Sequence, residues 1–132
     1  MLKIYTGNHR NALKDVEVTY EFPENSLSPY EQIEWFDKHL PEFKGDGEVS
    51  VKTYSPYILN YINLLLIRGD LDYSVLEAQE RYWDEETDEI SEWSLKVLNE
   101  GVQLIDTVSL SEPISWIYNQ YNSIKEKKDG KC

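Results

Sequence analysis

VTYEFPENSLSPYEQIEWFDKHL, residues 18–40, joins a β-rich run to a helix start, and the change of periodicity inside it sets the architecture. On its upstream side, VEVTYEF (16–22) alternates Val16, Val18 and Tyr20 with Glu17, Thr19 and Glu21, as a strand with one apolar face does. Downstream, Ser28 stands at an N-cap position, Pro29 suits the first helical position, and Glu31 completes a capping box three residues after the serine. Ile33, Phe36, Leu40 and Phe43 then recur at helical spacing, and Pro41 is expected to end or bend the helix.

Working outward, the same device repeats. The loop KGDGE (44–48) releases the chain into VSVKTY (49–54), read as a strand, after which Ser55 caps and Pro56 opens YILNYINLLLI. Before the first unit, LKIYTG (2–7) reads as a strand ended by Gly7. Strands alternating with Ser-Pro helices predict an α/β domain, a small three-layer unit with a mostly parallel sheet and crossover helices. In such sheets function gathers at the carboxyl ends of the strands, where Glu21, Phe22 and Tyr54 stand. From Asp70 to Glu100 the apolar positions fit two strands, YSVLEAQERYW and ISEWSLKVL, around the turn-rich DEETDE; a helical reading fits nearly as well, and the hairpin is carried forward. LSEPISWIYNQYNSIKEKK reads as a C-terminal helix capped by Ser111, with Ile114, Ile117, Tyr121 and Ile124 as its stripe and lysines in its last turns.

Composition bounds the function. The 132 residues form one domain, 1–132, large enough to bury roughly two-thirds of the unfolded surface. Aromatics at 13% mark a globular chain. With Cys132 as the one cysteine, no apolar leader and no run of about 18 apolar residues, a cytoplasmic setting without disulfides or membrane contact is expected. The charge of −12 disfavours direct contact with nucleic acid, which rests on Lys and Arg displacing counterions. Nine carboxylates fall between Glu77 and Glu100 against Arg81 and Lys96 alone, which predicts a solvated acidic face or one aimed at a basic partner.

Few residues carry a chemical signal. Glu21 and Glu24 in EFPEN are carboxylates near a strand end, where a hard cation or acid-base work would need them, but Glu-rich loops are common in an acidic chain. His9 and His39 have no second ligand at zinc spacing, and TGNHRNAL lacks the GK[ST] of a phosphate loop. No metal site, cofactor or catalytic residue is therefore expected.

The order of segments resembles a family. VTYEFPENSLSPYEQIEWFDKHL looks like the Walker B segment, D-loop and following helix of ABC-type ATPases of the recombination and phage-defence kind, whose pattern is close to DEPENSLHP with a downstream Gln. VSVKTYSPYILNYINLLL is similar to their switch-histidine strand followed by THSPYIL, and NEGVQLIDTVSLSEPISWIYNQYNSI to their C-terminal end, so the likeness covers residues 16–125. Residues 1–15 would replace the absent Walker A half with a strand and loop, and 126–132 would be a frayed tail. The resemblance implies degenerate nucleotide-site positions: Glu21 for the metal-orienting Asp, Phe22 for the carboxylate that polarises water, Glu24 beside them, and Tyr54 for the switch His. Phe22 cannot orient a water, and a phenol is a poor substitute for imidazole. It further implies that Asn25, Ser26 and Leu27 lie at an interface, since the corresponding loop joins ATPase heads.

These readings predict a non-catalytic, regulatory protein-binding module whose partner is a protein, an ABC-type ATPase in the first instance, with a homodimer also open. Two alternatives stand beside it. One is a degenerate subunit of a split ATPase, and the other an acidic nucleic-acid mimic that inhibits a DNA-binding protein.

Overall fold

The computed structural model describes residues 1–97 and 107–129. Its elements are β1 (Leu2–Gly7), α1 (Arg10–Leu13), β2 (Tyr20–Glu21), α2 (Pro29–Phe43), β3 (Val49–Lys52), α3 (Pro56–Arg68), β4 (Leu76–Trp83), β5 (Ile90–Ser94) and α4 (Val108–Asp129). The five strands form one sheet in the order β2-β3-β1-β4-β5, parallel except for the β4–β5 hairpin. The chain is thus a small α/β domain with crossover helices and a C-terminal helix, as the alternation of strands and Ser-Pro helices predicts.

Sequence alternation explains the two faces of the sheet. Leu2, Ile4, Val49, Val51, Leu76 and Ala78 point to one side and join Phe36, Phe43, Ile58, Leu59, Ile62 and Leu65 of α2 and α3 in the core. Lys3, Tyr5, Lys52, Gln79 and Arg81 alternate with them and remain half-exposed on the other side. α1 covers the carboxyl end of that second face: a Cβ on Gly7 would meet the Arg81 carbonyl at 2.9 Å and the Ala12 methyl at 3.0 Å. Glycine at position 7 is what lets α1 approach β1 so closely.

Both Ser-Pro helices start as their sequences dictate. The Ser28 hydroxyl accepts from the Glu31 amide and the Glu31 carboxylate accepts from the Ser28 amide, which holds the Glu31 carboxyl below its usual range. Ser55 accepts from the Ile58 amide, and α3 ends on Gly69 at φ 77°, a left-handed cap that glycine adopts without steric cost. In the hairpin, Trp83 pairs with Ile90 and Gln79 with Ser94, and the Asp84 carboxylate accepts from the Glu86 amide to shape the DEETDE turn.

Several boundaries differ from the sequence reading: β3 ends at Lys52, β4 begins at Leu76 and β5 ends at Ser94, each shorter than the sequence predicts, and those at β2 and α4 have a physical cause. The strand read over 16–22 shrinks to Tyr20–Glu21, because Thr19 and Ser50 exchange side-chain hydrogen bonds with each other's backbone where ladder bonds would run. α2 reaches Phe43, the last residue of its predicted apolar stripe, so Pro41 does not terminate it; the Phe43 ring is fully buried 4.9 Å from Phe36 and anchors the last turn against the core. α4 starts at Val108, so Ser111 lies inside the helix and is not its cap; the buried Glu80 carboxylate accepts from the Val108 amide at 3.1 Å. Of the tail read as frayed, residues up to Asp129 belong to α4 and 130–132 lie outside the described residues. No helix among the described residues is long and apolar enough to cross a membrane.

Candidate functional site

β1 and β3 are neighbours in the sheet, and at their carboxyl ends the chain leaves toward opposite faces, into α1 from β1 and into α3 from β3. A crevice opens at such a point in a parallel sheet. Here it is a depression of about 280 Å³ walled by Arg10, Leu13 and Lys14 from α1 and its end, Glu21, Phe22, Glu24 and Asn25 after β2, and Lys52 and Tyr54 after β3. Glu21, Phe22, Glu24, Asn25 and Tyr54, singled out from the sequence, come together in it. Ser26 and Leu27 continue the same loop, Ser26 exposed and Leu27 half-buried.

Each side chain has a definable state. Phe22 is 5% exposed, its ring edge-to-face with Trp35 at 4.9 Å, so the position carries packing and no polar group. Glu24 turns inward: one oxygen accepts from the Tyr54 amide at 2.8 Å and the other from the Thr53 hydroxyl at 3.3 Å. Glu21 is exposed and ion-paired with Lys52 at 3.0 Å. The Lys52 ammonium also donates to the Leu13 and Val16 carbonyls, both at 3.3 Å. It therefore ties the end of α1 to β2 across the floor of the crevice. Tyr54 is 37% exposed, and burial, followed by the charges of Glu24 and Glu21, holds its phenol above the usual value. At neutral pH that hydroxyl is a donor.

The loop above this floor is firmly held. Gln32, 5% exposed on α2, donates from Nε2 to the Leu27 carbonyl at 3.2 Å and to the Glu24 carbonyl at 3.4 Å, and its Oε1 accepts from the Ser55 hydroxyl. The Ser26 amide donates to the Pro23 carbonyl at 3.2 Å, closing the turn. Asn25 and Ser26 are thereby presented to solvent on a braced backbone.

Gln32 and Lys52 complete the site without being marked as site residues by the sequence. Gln32 had a signal, the downstream Gln of the resembling pattern. Lys52 had none beyond its place on the polar side of VSVKTY.

Chemically, the crevice offers little. Phe22 has no acceptor, both Glu24 oxygens hold protein donors, and among the described residues no three His, Cys, Asp or Glu side chains are grouped to hold a metal ion. His39 stacks on Trp35 at 4.1 Å and its Nδ1 bonds the Trp35 carbonyl at 2.8 Å, a packing role. A larger depression of about 490 Å³ lies beyond β1 and β4, walled by Asn8, His9, Trp83 and the hairpin turn. Asn8 there bonds the Trp83 backbone in both directions, at 2.8 and 3.0 Å, and so acts as one more rung of the ladder.

Among the described residues, the carboxylates from Glu77 to Glu92 do not form one surface. Glu80 is fully buried, and Glu92 pairs with Arg81 at 3.3 Å on the polar face of the sheet. Glu85, Glu86, Asp88 and Glu89 crowd the exposed turn.

Comparison of the chain with protein-family models, with curated proteins and with solved structures finds no match.

Proposed function

We propose that the chain is a non-catalytic protein-binding module, built on the plan of the C-terminal half of an ABC-type ATPase, that docks on an intact ATPase and modulates it. One observation carries the reading. Phe22 closes the floor of the crevice at the position where the resemblance calls for a working carboxylate, while Gln32 and Glu24 brace the loop above it with Asn25 and Ser26 exposed. A loop kept rigid over a floor that cannot activate water fits recognition better than turnover. The convergence of the ends of β2 and β3 on one crevice supports the same reading, because the Walker B and switch segments that the resemblance names have to meet at one nucleotide.

The test is affinity capture from cells expressing an ATPase gene that neighbours this one, with the wild-type chain and with Asn25→Arg/Ser26→Arg. Both substituted side chains are exposed, so unfolding is not expected. Capture of an ATPase by the wild type and its loss in the variant is the expected result. Recovery of no ATPase, or equal recovery by both proteins, counts against the docking loop.

The split-ATPase reading retains one supporting feature, the exposed Glu21 carboxylate on the rim of the crevice. It predicts that ATP and Mg²⁺ alone leave the melting temperature unchanged and that a complementary subunit restores hydrolysis sensitive to Glu21→Ala. The nucleic-acid mimic is less favoured, since the burial of Glu80 and the pairing of Glu92 break up the row of charges it requires.

A further inference from the structure

Among the described residues, α4 meets the domain in its first turns: Glu80 takes the Val108 amide, and Glu112, Pro113 and Trp116 border a depression shared with Asn8 and Tyr82. From residue 112 to residue 127 every position is exposed. At 22 residues the helix is about 33 Å long, comparable to the diameter of a small domain. Its sequence does not favour a helix standing alone in water, because Asn119, Asn122, Pro113 and several β-branched and aromatic residues are poor helix formers. Helices of this kind owe their stability to burying an apolar face.

Such a face exists. Ile114, Ile117, Tyr118, Tyr121 and Ile124 lie on one side of α4 and are each 53–63% exposed. The four stripe positions 114, 117, 121 and 124 are separated by three, four and three residues. That spacing reads identically in both directions. Two copies laid antiparallel therefore set Ile114 against Ile124 and Ile117 against Tyr121, twice over, as the isologous contact of a two-fold dimer requires. At the same offset Glu112 lies level with Glu126 of the second copy, between Lys125 and Lys127, so the ends of the helix pair carry charges of both signs. Pairing removes roughly 1,000 Å² of side-chain surface from water, at the threshold for a specific interface. A membrane surface suits this helix less well, because a chain of charge −12 is repelled by anionic lipid.

We infer that α4 is a homodimerisation helix that pairs antiparallel with α4 of a second copy through Ile114, Ile117, Tyr121 and Ile124. The inference stands on α4 alone and is independent of the docking loop, which lies on other elements.

The experiment is sedimentation equilibrium of the full chain between about 1 and 100 μM, a range that brackets a modest interface. The wild type is expected at twice the chain mass at the upper end. Ile117→Glu/Tyr121→Glu should be monomeric throughout, with the near-ultraviolet circular dichroism of the sheet domain unchanged. Ser115→Glu/Asn122→Glu, on the opposite side of α4, should dimerise as the wild type does. In a Cys132→Ser background, Gln120→Cys borders the stripe near the two-fold axis and should form a covalent dimer on oxidation, whereas Asn122→Cys should not. A wild type that stays monomeric at 100 μM overturns the inference, as does one that binds neutral or anionic vesicles without self-associating. Equal loss of dimer in the two glutamate pairs overturns the assigned face, and crosslinking at position 122 in preference to 120 overturns the antiparallel geometry.

Discussion

Replacing Phe22 by Ala tests whether the crevice floor is core or contact surface. The substitution removes a ring that is 5% exposed and packed edge-to-face on Trp35. Taking about 150 Å² of ring surface out of the core at about 25 cal/mol per Å² costs about 4 kcal/mol. The site lies beside the crevice, so partial collapse and water entry should reduce the loss to about 3 kcal/mol, the low end for buried phenylalanines. In urea, with a slope of about 2 kcal/mol per M for a domain of this size, the midpoint should fall by about 1.5 M with the slope unchanged. Phe22→Leu should lose no more than about 1.5 kcal/mol, because it keeps most of the volume. A double-mutant cycle with Trp35→Leu should return a coupling of about 1 kcal/mol from the ring pair. If Phe22→Ala costs less than about 1 kcal/mol, the side chain is not a structural anchor and the description of the floor as closed is wrong.

Three further outcomes follow from named contacts. Gln32→Met preserves the buried volume but leaves the Ser55 hydroxyl and the Leu27 carbonyl without their partner, so about 2 kcal/mol should be lost; a change under 0.5 kcal/mol by calorimetry would show the loop to be braced by other groups. The Tyr61 phenol donates to Asp37, and burial first, then that bond, push it up to about 12. Because the folded value exceeds the unfolded one near 10, the stabilisation it brings is complete below about pH 10 and disappears as pH rises through 12; in an ultraviolet titration the last tyrosine to ionise should be the one missing in Tyr61→Phe. Glu80→Ala removes the acceptor of the Val108 amide and should speed hydrogen exchange there by roughly 5- to 30-fold, equivalent to about 1–2 kcal/mol; exchange as slow as in the wild type would mean that α4 starts without this cap.

What could be read from the sequence was local. Ser28, Pro29 and Glu31 announce the start of α2, and Ser55 with Pro56 that of α3, because caps and first-turn prolines act on neighbours within four residues. The turn residues of DEETDE likewise marked the hairpin. The failures involve partners distant in sequence. Ser50 lies 31 residues beyond Thr19 and replaces the ladder that would have extended β2, while Glu80 lies 28 residues before Val108 and moves the start of α4 ahead of Ser111. At the site, the sequence marked Glu21, Phe22, Glu24, Asn25 and Tyr54, which do meet in one crevice. It did not foretell that Glu24 would be occupied by the Tyr54 amide or that Lys52 would bridge the floor, since both depend on how β3 lies against the turn after β2.

The position of β1 bears on how the chain is made. Its residues, 2–7, leave the ribosome before both of the strands that complete its edges, residues 49–52 and 76–83. At about 5–20 residues per second, β1 waits roughly 4–15 s for its second neighbour. During that interval Leu2 and Ile4, fully buried in the finished sheet, belong to an unpaired apolar strand. The sheet therefore cannot be completed during synthesis of the first half of the chain, and a stall before residue 76 would hold the nascent protein with its central strand open to trigger-type holdases or to other nascent chains.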